Sequence, residues 1–503
     1  MFSLNFELEQ LVSMKLKFLD LEMFVLETIV LFLLVTCVTH YVVFRWKRQR
    51  LYALAEKLPG HEGFSIWESL YMILTVHRKD YITKVLTYIK DDAKITKIWL
   101  LKNLVIMTKD ADFINKVFNS QHTIDKPELF YDAFLVKRGL IAINGEDQKV
   151  HRKIFTKSFT TKVLQTLPKI FDENSKRIVK LLESKVNCGE FEFTDYAGSY
   201  SFDTLGSSNL NYSEKDHFKS DLFYAFEKFS PIMVDILPYI VVGFTRKNLR
   251  YIKIGKRIEE IFKVFDNYLN EVINNNRKSP CKDENKLIFS LLDPKNGFDE
   301  EDIRDEFITM ILGAFETTTK IISSALMMLG IHQNAQHKLM QEIEEIFSHG
   351  DDTTLTIDFL NKFQFMEAVI KETMRLFTVA PILARKASEE VEIDGYVIPK
   401  GTAFLLAIDA MHKDEKYWGK DANLFKPERF LETLAYPQAY APFSGGRRMC
   451  IGFRYAMISM KIFFINFLRS YKVNCSSKFE ELETEMTMTL NFVKGYKVSI
   501  ERR

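Results

Sequence analysis

Ten residues near the C-terminal end constrain this chain more than any other stretch: Phe443-Ser-Gly-Gly-Arg-Arg-Met-Cys450-Ile-Gly452. A single cysteine sits among glycines, with arginines just before it and a long apolar, helix-forming run from Phe453 after it. Gly446 and Gly452 permit φ > 0 and close backbone approach, so the loop is expected to fold tightly around the sulfur. Backbone N–H groups and the start of the following helix favour a thiolate there. Arg448 is placed to meet an anionic group on whatever the sulfur binds. A turn with a buried thiol suffices to explain Cys-x-Gly alone. The full pattern Phe-x-x-Gly-x-Arg-x-Cys-x-Gly is far more specific.

Two stretches upstream carry related chemistry. A long helix is expected to open at Asp299, whose side chain can cap it, with Glu300, Glu301 and Asp302 complementing its dipole. It continues apolar to Gly313-Ala-Phe-Glu316-Thr317-Thr318, where an acid and an alcohol interrupt an otherwise hydrophobic run. Thr317 can bond the carbonyl of Gly313 and loosen the helix, leaving room for a small ligand. Farther on, Glu372 and Arg375 share one helical face, ordinarily a surface pair of little worth. Arg429 follows in Lys426-Pro-Glu-Arg429-Phe430.

In this order and spacing, the motifs resemble those of cytochrome P450. The resemblance covers about 440 residues, from the hinge after the first apolar run to the C-terminus. It implies a mostly α fold, a helical globule with small β-sheets, holding heme b between the Glu316–Thr317 helix and the Cys450 loop. Cys450 is then the axial iron ligand, whose thiolate pushes electron density toward O–O cleavage. Phe443, Gly446, Arg448 and Gly452 line the cofactor, and Arg152 and Arg385 match positions that meet its propionates. Glu316 and Thr317 become the catalytic acid–alcohol pair that manages proton delivery. Glu372, Arg375 and Arg429 become a buried structural cluster that fixes the Cys450 loop.

The implied reaction is insertion of one oxygen atom from O₂ into a small apolar substrate: a fatty acid, a hormone-like lipid or a xenobiotic. Electrons come from NADPH through NADPH–cytochrome P450 reductase, with cytochrome b5 as a further possible donor. Phe130-Tyr131, His151-Arg152-Lys153 and Trp418-Gly419 look closest to the insect branch around family four. Many members of that branch carry a Glu, esterified to heme, at the position of Gly313; glycine has nothing to esterify, so non-covalent heme is expected. Two departures stand out: Gln148 where the family has Trp, and Ala314 where it has Gly. A silent heme protein that binds ligands without turnover stays open, as does an O₂-independent heme-thiolate isomerase or dehydratase. Retention of Glu316-Thr317 argues against both.

The rest of the chain sets the context. Residues 1–22 form a polar N-terminal extension, and 23–44 are apolar enough to span a bilayer. Residues 45–62 hold a basic flank (Arg45, Lys47, Arg48, Arg50) and a Pro59-Gly60 hinge, and the resemblance implies that 63–503 form the heme-thiolate catalytic domain. By the positive-inside rule the globule faces the cytosol, and the resemblance implies a single-pass protein of the endoplasmic reticulum membrane. Five scattered cysteines argue for a reducing compartment, and a net charge of +2 gives no reason to expect nucleic acid. Leu222–Phe244, dense in aromatics, is expected to be core, and the resemblance makes it a roof over the substrate. Lys149, Arg152, Lys153, Arg447 and Arg454 are a candidate docking patch for an acidic reductase. Asn274–Lys286 reads as a surface loop and Ile331–Phe347 as an amphipathic helix. Two strand pairs are expected, one about Asp394-Gly395 and one joining Met486–Leu490 to Tyr496–Ile500.

Overall fold

Apolar residues spaced three and four apart bury one face of each helix, and the helices stack around a single long rod. The computed structural model describes residues 2–60, 71, 75, 77–89, 93–212, 221–278, 283, 285–348 and 354–503. The rod consists of the α-helix Glu300–Ile311, a π-helical turn Leu312–Glu316 and the α-helix Thr317–Ile331, with right-handed backbone across both junctions. Asp299 caps it as expected. Its carboxylate accepts from the Asp302 N–H at 2.9 Å, and Asp302 returns a bond to the Asp299 N–H at 3.1 Å.

Thr317–Ile331 is buried against helices Pro168–Leu181, Thr194–Leu205, Gln364–Leu376 and Phe453–Ser470 in one apolar core. A second core packs the helices Asp221–Val241 and Lys253–Lys278 over Glu300–Ile311, with Phe226 and Phe265 stacked at 4.4 Å. The expected apolar roof segment is thus a helix ending at Val241, and Asn274 begins not a loop but the last turns of Lys253–Lys278. The amphipathic segment forms the helix Gln333–Phe347.

A four-stranded sheet flanks the helices, with strands in the order Thr96–Leu100, Asn103–Thr108, Ala403–Ala407, Ile382–Lys386. Its middle pair is parallel and the outer pairs antiparallel, which sets Arg385 opposite Phe404. The Asp394-Gly395 hairpin forms as read, both residues taking positive φ between Val391–Ile393 and Tyr396–Ile398. The second expected pairing does not form. Thr484–Met486 pairs with Leu490–Phe492, while Lys497–Arg502 pairs with Tyr471–Asn474 and Phe191–Glu192. Alternation marked both segments as strands, but partner choice depended on chain ends brought together from far away.

At the N-terminus one helix, Phe2–Lys47, carries both the extension and the apolar run; Glu22–Lys47 is long and apolar enough to cross a membrane. Beyond it, Pro59 and Gly60 are seated on the sheet rather than free. The Lys97 N–H donates to the Pro59 carbonyl at 2.8 Å, and Lys97 Nζ to that of Ala55 at 2.7 Å.

The cluster of Glu372, Arg375 and Arg429 ties the helical side to the Cys450 loop. Arg375 grips Glu372 in a two-bond fork, Nε to Oε2 at 2.7 Å and NH2 to Oε1 at 2.8 Å, and neither residue is exposed. Arg429 Nε and the Lys426 N–H complete the carboxylate at 3.0 and 2.9 Å. Arg375 NH1 then reaches the carbonyls of His412 and Ala422 at 2.7 and 2.6 Å. Replacing Arg375 with Met leaves a buried carboxylate half paired, a loss of about 3–5 kcal/mol. Thermal unfolding of the detergent-solubilised variant should show a melting temperature far below that of the parent protein, or no cooperative transition.

Candidate active site

The Cys450 loop closes on itself and is pressed against the helix Ala111–Asn119. The Cys450 N–H donates to the Phe443 carbonyl at 2.9 Å, and Gly446–Arg448 form a 3-10 turn between them. Gly446 has φ +63°, and a Cβ there would lie 1.7 Å from the Phe118 carbonyl oxygen, so only glycine fits. Gly452 differs from expectation: its φ is −91°, and a Cβ would meet only the Phe159 ring, at 3.8 Å. Its contribution is the N–H that faces the Cys450 sulfur.

A buried histidine positions the start of the loop. His412 Nε2 accepts from the Ala441 N–H at 2.9 Å, so its proton sits on Nδ1, 2.7 Å from Thr378 Oγ1. Sequence reasoning missed His412, because nothing in its neighbours signals burial.

Cys450 opens onto a cavity of about 340 Å³ whose opposite wall is the central rod. Gly313, Ala314, Thr317, Thr318 and Ile321 face it, and nothing lies within 4 Å of the Gly313 Cβ position. Thr317 Oγ1 donates to the Gly313 carbonyl at 2.6 Å, as the sequence led us to expect, reaching back into the π-turn that ends one residue earlier. Such turns often mark functional sites, since they widen the backbone on one side. Phe443, Arg448 and Gly452 also line the cavity, and no carboxylate does among the described residues.

Glu316 is not brought to the cavity. It faces the other side of the rod, 4% exposed, and accepts from Ser230 Oγ at 2.7 Å and Thr489 Oγ1 at 2.6 Å. Burial pushes its carboxyl up, opposed by the charge of Lys320 and by the two hydroxyls. One turn holds the acid and the alcohol, yet their side chains diverge.

Cations gather at one side of the cavity. Arg385 is 2% exposed and donates to Ser444 Oγ at 2.8 Å. Arg448 donates to the carbonyls of Ile124, Leu140 and Ile143 and to Asn144 Oδ1, and burial lowers its pKa to about 10. Arg152 is turned inward, its NH2 2.8 Å from the Met449 carbonyl, and Lys126 lies among the three arginines. Gln148, where the family has Trp, is buried with its Nε2 unpartnered among the described residues. Desolvation by the surrounding loop pushes the Cys450 thiol up, and the Gly452 N–H, Arg152 and Lys126 partly offset this.

An accessible thiol, a dry wall loosened at Thr317 and a cluster of cations short of anions together fit an iron porphyrin with two carboxylates. The cytochrome P450 family model matches residues 62–500, and the chain belongs to that family of heme-dependent monooxygenases. Its relatives include a protein named probable cytochrome P450 313a1 from Drosophila melanogaster, 29% identical over 480 residues, covering 92% of this chain and 97% of that one. Cytochrome P450 4V2 from Homo sapiens is 26% identical over 493 residues, covering 91% of each. Cytochrome P450 4c21 from Blattella germanica is 26% identical over 513 residues, covering 96% of this chain and all of that one. The resemblance to insect and family-four proteins is borne out.

His412 gives the site a pH limit. Burial and the nearby Arg375 charge lower its pKa from 6.5 to about 3. Above 6.5 both states hold it neutral; below, the unfolded chain binds a proton that the native chain refuses, so stability falls as pH drops toward 3. The melting temperature should decline over that interval. In His412→Gln it should start lower at neutral pH and decline less.

Proposed function

We propose that the chain is a membrane-anchored monooxygenase in which Cys450 binds heme iron across the cavity from Thr317. The observation that carries this is that both line one cavity, the Cys450 thiol from its loop and the Thr317 hydroxyl from the residue that follows the π-turn. When bound, heme supplies the oxidising chemistry, which the side chains present cannot.

Each residue then has a task in the protein's own terms. The loop holds the sulfur, with the Gly452 N–H toward it. Phe443, Met449 and Ile451 surround it with apolar surface, and Arg152, Arg385 and Arg448 would receive the propionates. Thr317 has committed its proton to the Gly313 carbonyl, so it offers lone pairs to a water or other donor in the cavity. By rotating it can return a proton there. Glu316 lies behind the rod with its carboxyl pushed up by burial, and it reaches the cavity to exchange a proton only by leaving Ser230 and Thr489.

The lining of Leu140, Phe155, Leu205, Met310, Val379 and Leu383 favours a small apolar substrate. Electrons come from NADPH through the reductase, or through cytochrome b5. Lys149, Lys153, Arg447 and Arg454 are exposed behind the Cys450 loop and suit an acidic partner; Arg152 drops out of that patch because it points inward. The helix Glu22–Lys47 with its basic end fits a single span in the endoplasmic reticulum membrane with the globule in the cytosol.

With reductase, NADPH and a substrate that perturbs the heme spectrum, product should carry one oxygen atom from labelled O₂. Thr317→Val should keep its heme while product per NADPH falls about tenfold and peroxide rises. Label arriving from water, or unchanged coupling in the variant, would contradict the assignment.

Heme should also be held without a covalent bond. Gly313 has no side chain, Glu316 points away, and no carboxylate lines the cavity among the described residues. Acidified solvent should extract the heme completely, leaving a polypeptide of unmodified mass by mass spectrometry. A mass raised by one heme would point to an ester from a carboxylate outside those described.

A further inference from the structure

A second cavity, of about 590 Å³, lies outside the first, beside the helix Gly145–Lys157. Arg138, Asn144, Asp147, His151, Phe298 and Asp302 line it, so it is polar where the inner cavity is apolar. The chain between the two is strapped to the rod by its backbone. The Arg138 N–H donates to Asp305 Oδ2 at 3.0 Å, and the Leu140 N–H to Glu306 Oε2 at 2.9 Å. Gly139 lies flat against the rod, since a Cβ there would stand 2.0 Å from Thr309 Oγ1. Leu140 and Ile141 then line the inner cavity.

Two titratable groups are built into this partition, apart from Cys450, Thr317 and Glu316. Glu306 has no exposed surface, and its Oε1 lies 2.6 Å from His151 Nδ1. His151 is 6% exposed, meets the Phe298 ring edge-on at 4.8 Å and lines the outer cavity. Glu306 stands one turn before Thr309 and Met310 and two before Gly313, so it shares the stripe of the rod that lines the inner cavity. Burial pushes its carboxyl up, and Asp305 adds to this; the bonds from His151 and the Leu140 N–H oppose it. The carboxyl therefore takes up a proton more readily than an exposed one. With Glu306 ionised, Nδ1 of His151 carries the ring proton and Nε2 is the acceptor. Thr309 Oγ1, one turn on, is buried without a hydrogen-bond partner among the described residues. A histidine, an acid and an unpaired hydroxyl in sequence are a costly way to pack a wall.

We propose that His151 and Glu306 relay protons from the outer cavity to the inner one, with Thr309 as the last member. The proposal rests on the monooxygenase reading above and gives that reaction a proton source separate from Glu316. Water in the outer cavity gives a proton to His151 Nε2 while Nδ1 passes its own to the Glu306 carboxylate. By turning about its side chain, Glu306 gives that proton to Thr309 Oγ1, as the hydroxyl releases its own to water in the inner cavity. One proton enters and one leaves, and no electrons move. Carboxylate and hydroxyl return to their starting forms. The imidazole, left as its other tautomer, resets by exchanging the proton between its nitrogens through solvent.

The test uses the full-length, heme-loaded protein in detergent. Glu306→Gln keeps an oxygen for the Leu140 N–H and an amide for His151 but takes up no proton. His151→Phe keeps a ring beside Phe298 and cuts the outer link. The first readout needs no turnover. On acidification the infrared difference spectrum of the parent should show a carboxyl C=O band that is missing from Glu306→Gln. After transfer to D₂O, the isotope shift of that band should appear about tenfold more slowly in His151→Phe. With reductase, NADPH and substrate, product per NADPH should fall about tenfold in both variants, with peroxide rising and the solvent isotope effect on product formation growing. If the pair is only a strut, both variants lower thermal stability while coupling, isotope effect and the rate of the deuterium shift stay at parent values, and the proposal is overturned. Should His151→Phe not accumulate as folded protein, Glu306→Gln decides alone: coupling and isotope effect at parent values overturn the relay. A parent protein that forms no product would sink the monooxygenase reading instead, and the infrared comparison would still decide whether His151 connects Glu306 to solvent.

Discussion

A carboxylate with no exposed surface is costly to bury unless donors surround it, and Glu372 accepts four hydrogen bonds from two arginines and a backbone N–H. The geometry is demanding, and so it carries position from one part of the chain to another. Arg375 passes it on to the carbonyls of His412 and Ala422, Arg429 to that of Asp421, and His412 to the Ala441 N–H at the start of the Cys450 loop. The sulfur is therefore located by a chain of buried polar bonds that begins on the helix Gln364–Leu376. None of these groups lines the cavity among the described residues. Their task is to keep a strained loop, with Ser444 and Gly446 both at positive φ, from relaxing.

The opposite wall solves a different problem. A helix with all its bonds made presents a closed surface, and small polar molecules have nothing to bind there. The π-turn Leu312–Glu316 opens one side while Thr317 takes up the Gly313 carbonyl. The same turn sends Phe315 into the aromatic cluster of Phe202, Phe223 and Phe226, and Glu316 toward Ser230 and Thr489. The acid is thereby tied to the helix Asp221–Val241 through Ser230 and to the C-terminal hairpin through Thr489.

Much of this was legible in the sequence, for physical reasons that differ by residue. The Cys450 loop could be read because glycine, arginine and thiol together have few other uses. The Asp299 cap, the Thr317–Gly313 bond and the Asp394-Gly395 turn could be read because each is local. Glu372, Arg375 and Arg429 needed the resemblance, since spacing alone suggests a surface pair. Long-range facts stayed hidden. The partner of Lys497–Arg502, the direction of the Glu316 side chain, the burial of His412 and the gathering of Lys126 with three arginines all depend on distant segments meeting. Gly452 was misjudged because a glycine beside a tight turn need not itself take positive φ.

The central claim is that Cys450, as thiolate, holds the iron, and one spectrum tests it most directly. Reduced with dithionite under carbon monoxide, the full-length protein should show the long-wavelength Soret band that thiolate ligation produces. Cys450→Ala should lose that band, whether or not it still binds heme. A parent protein whose carbon monoxide complex absorbs at the shorter wavelength typical of histidine ligation, or a variant that keeps the long-wavelength band, would contradict the account.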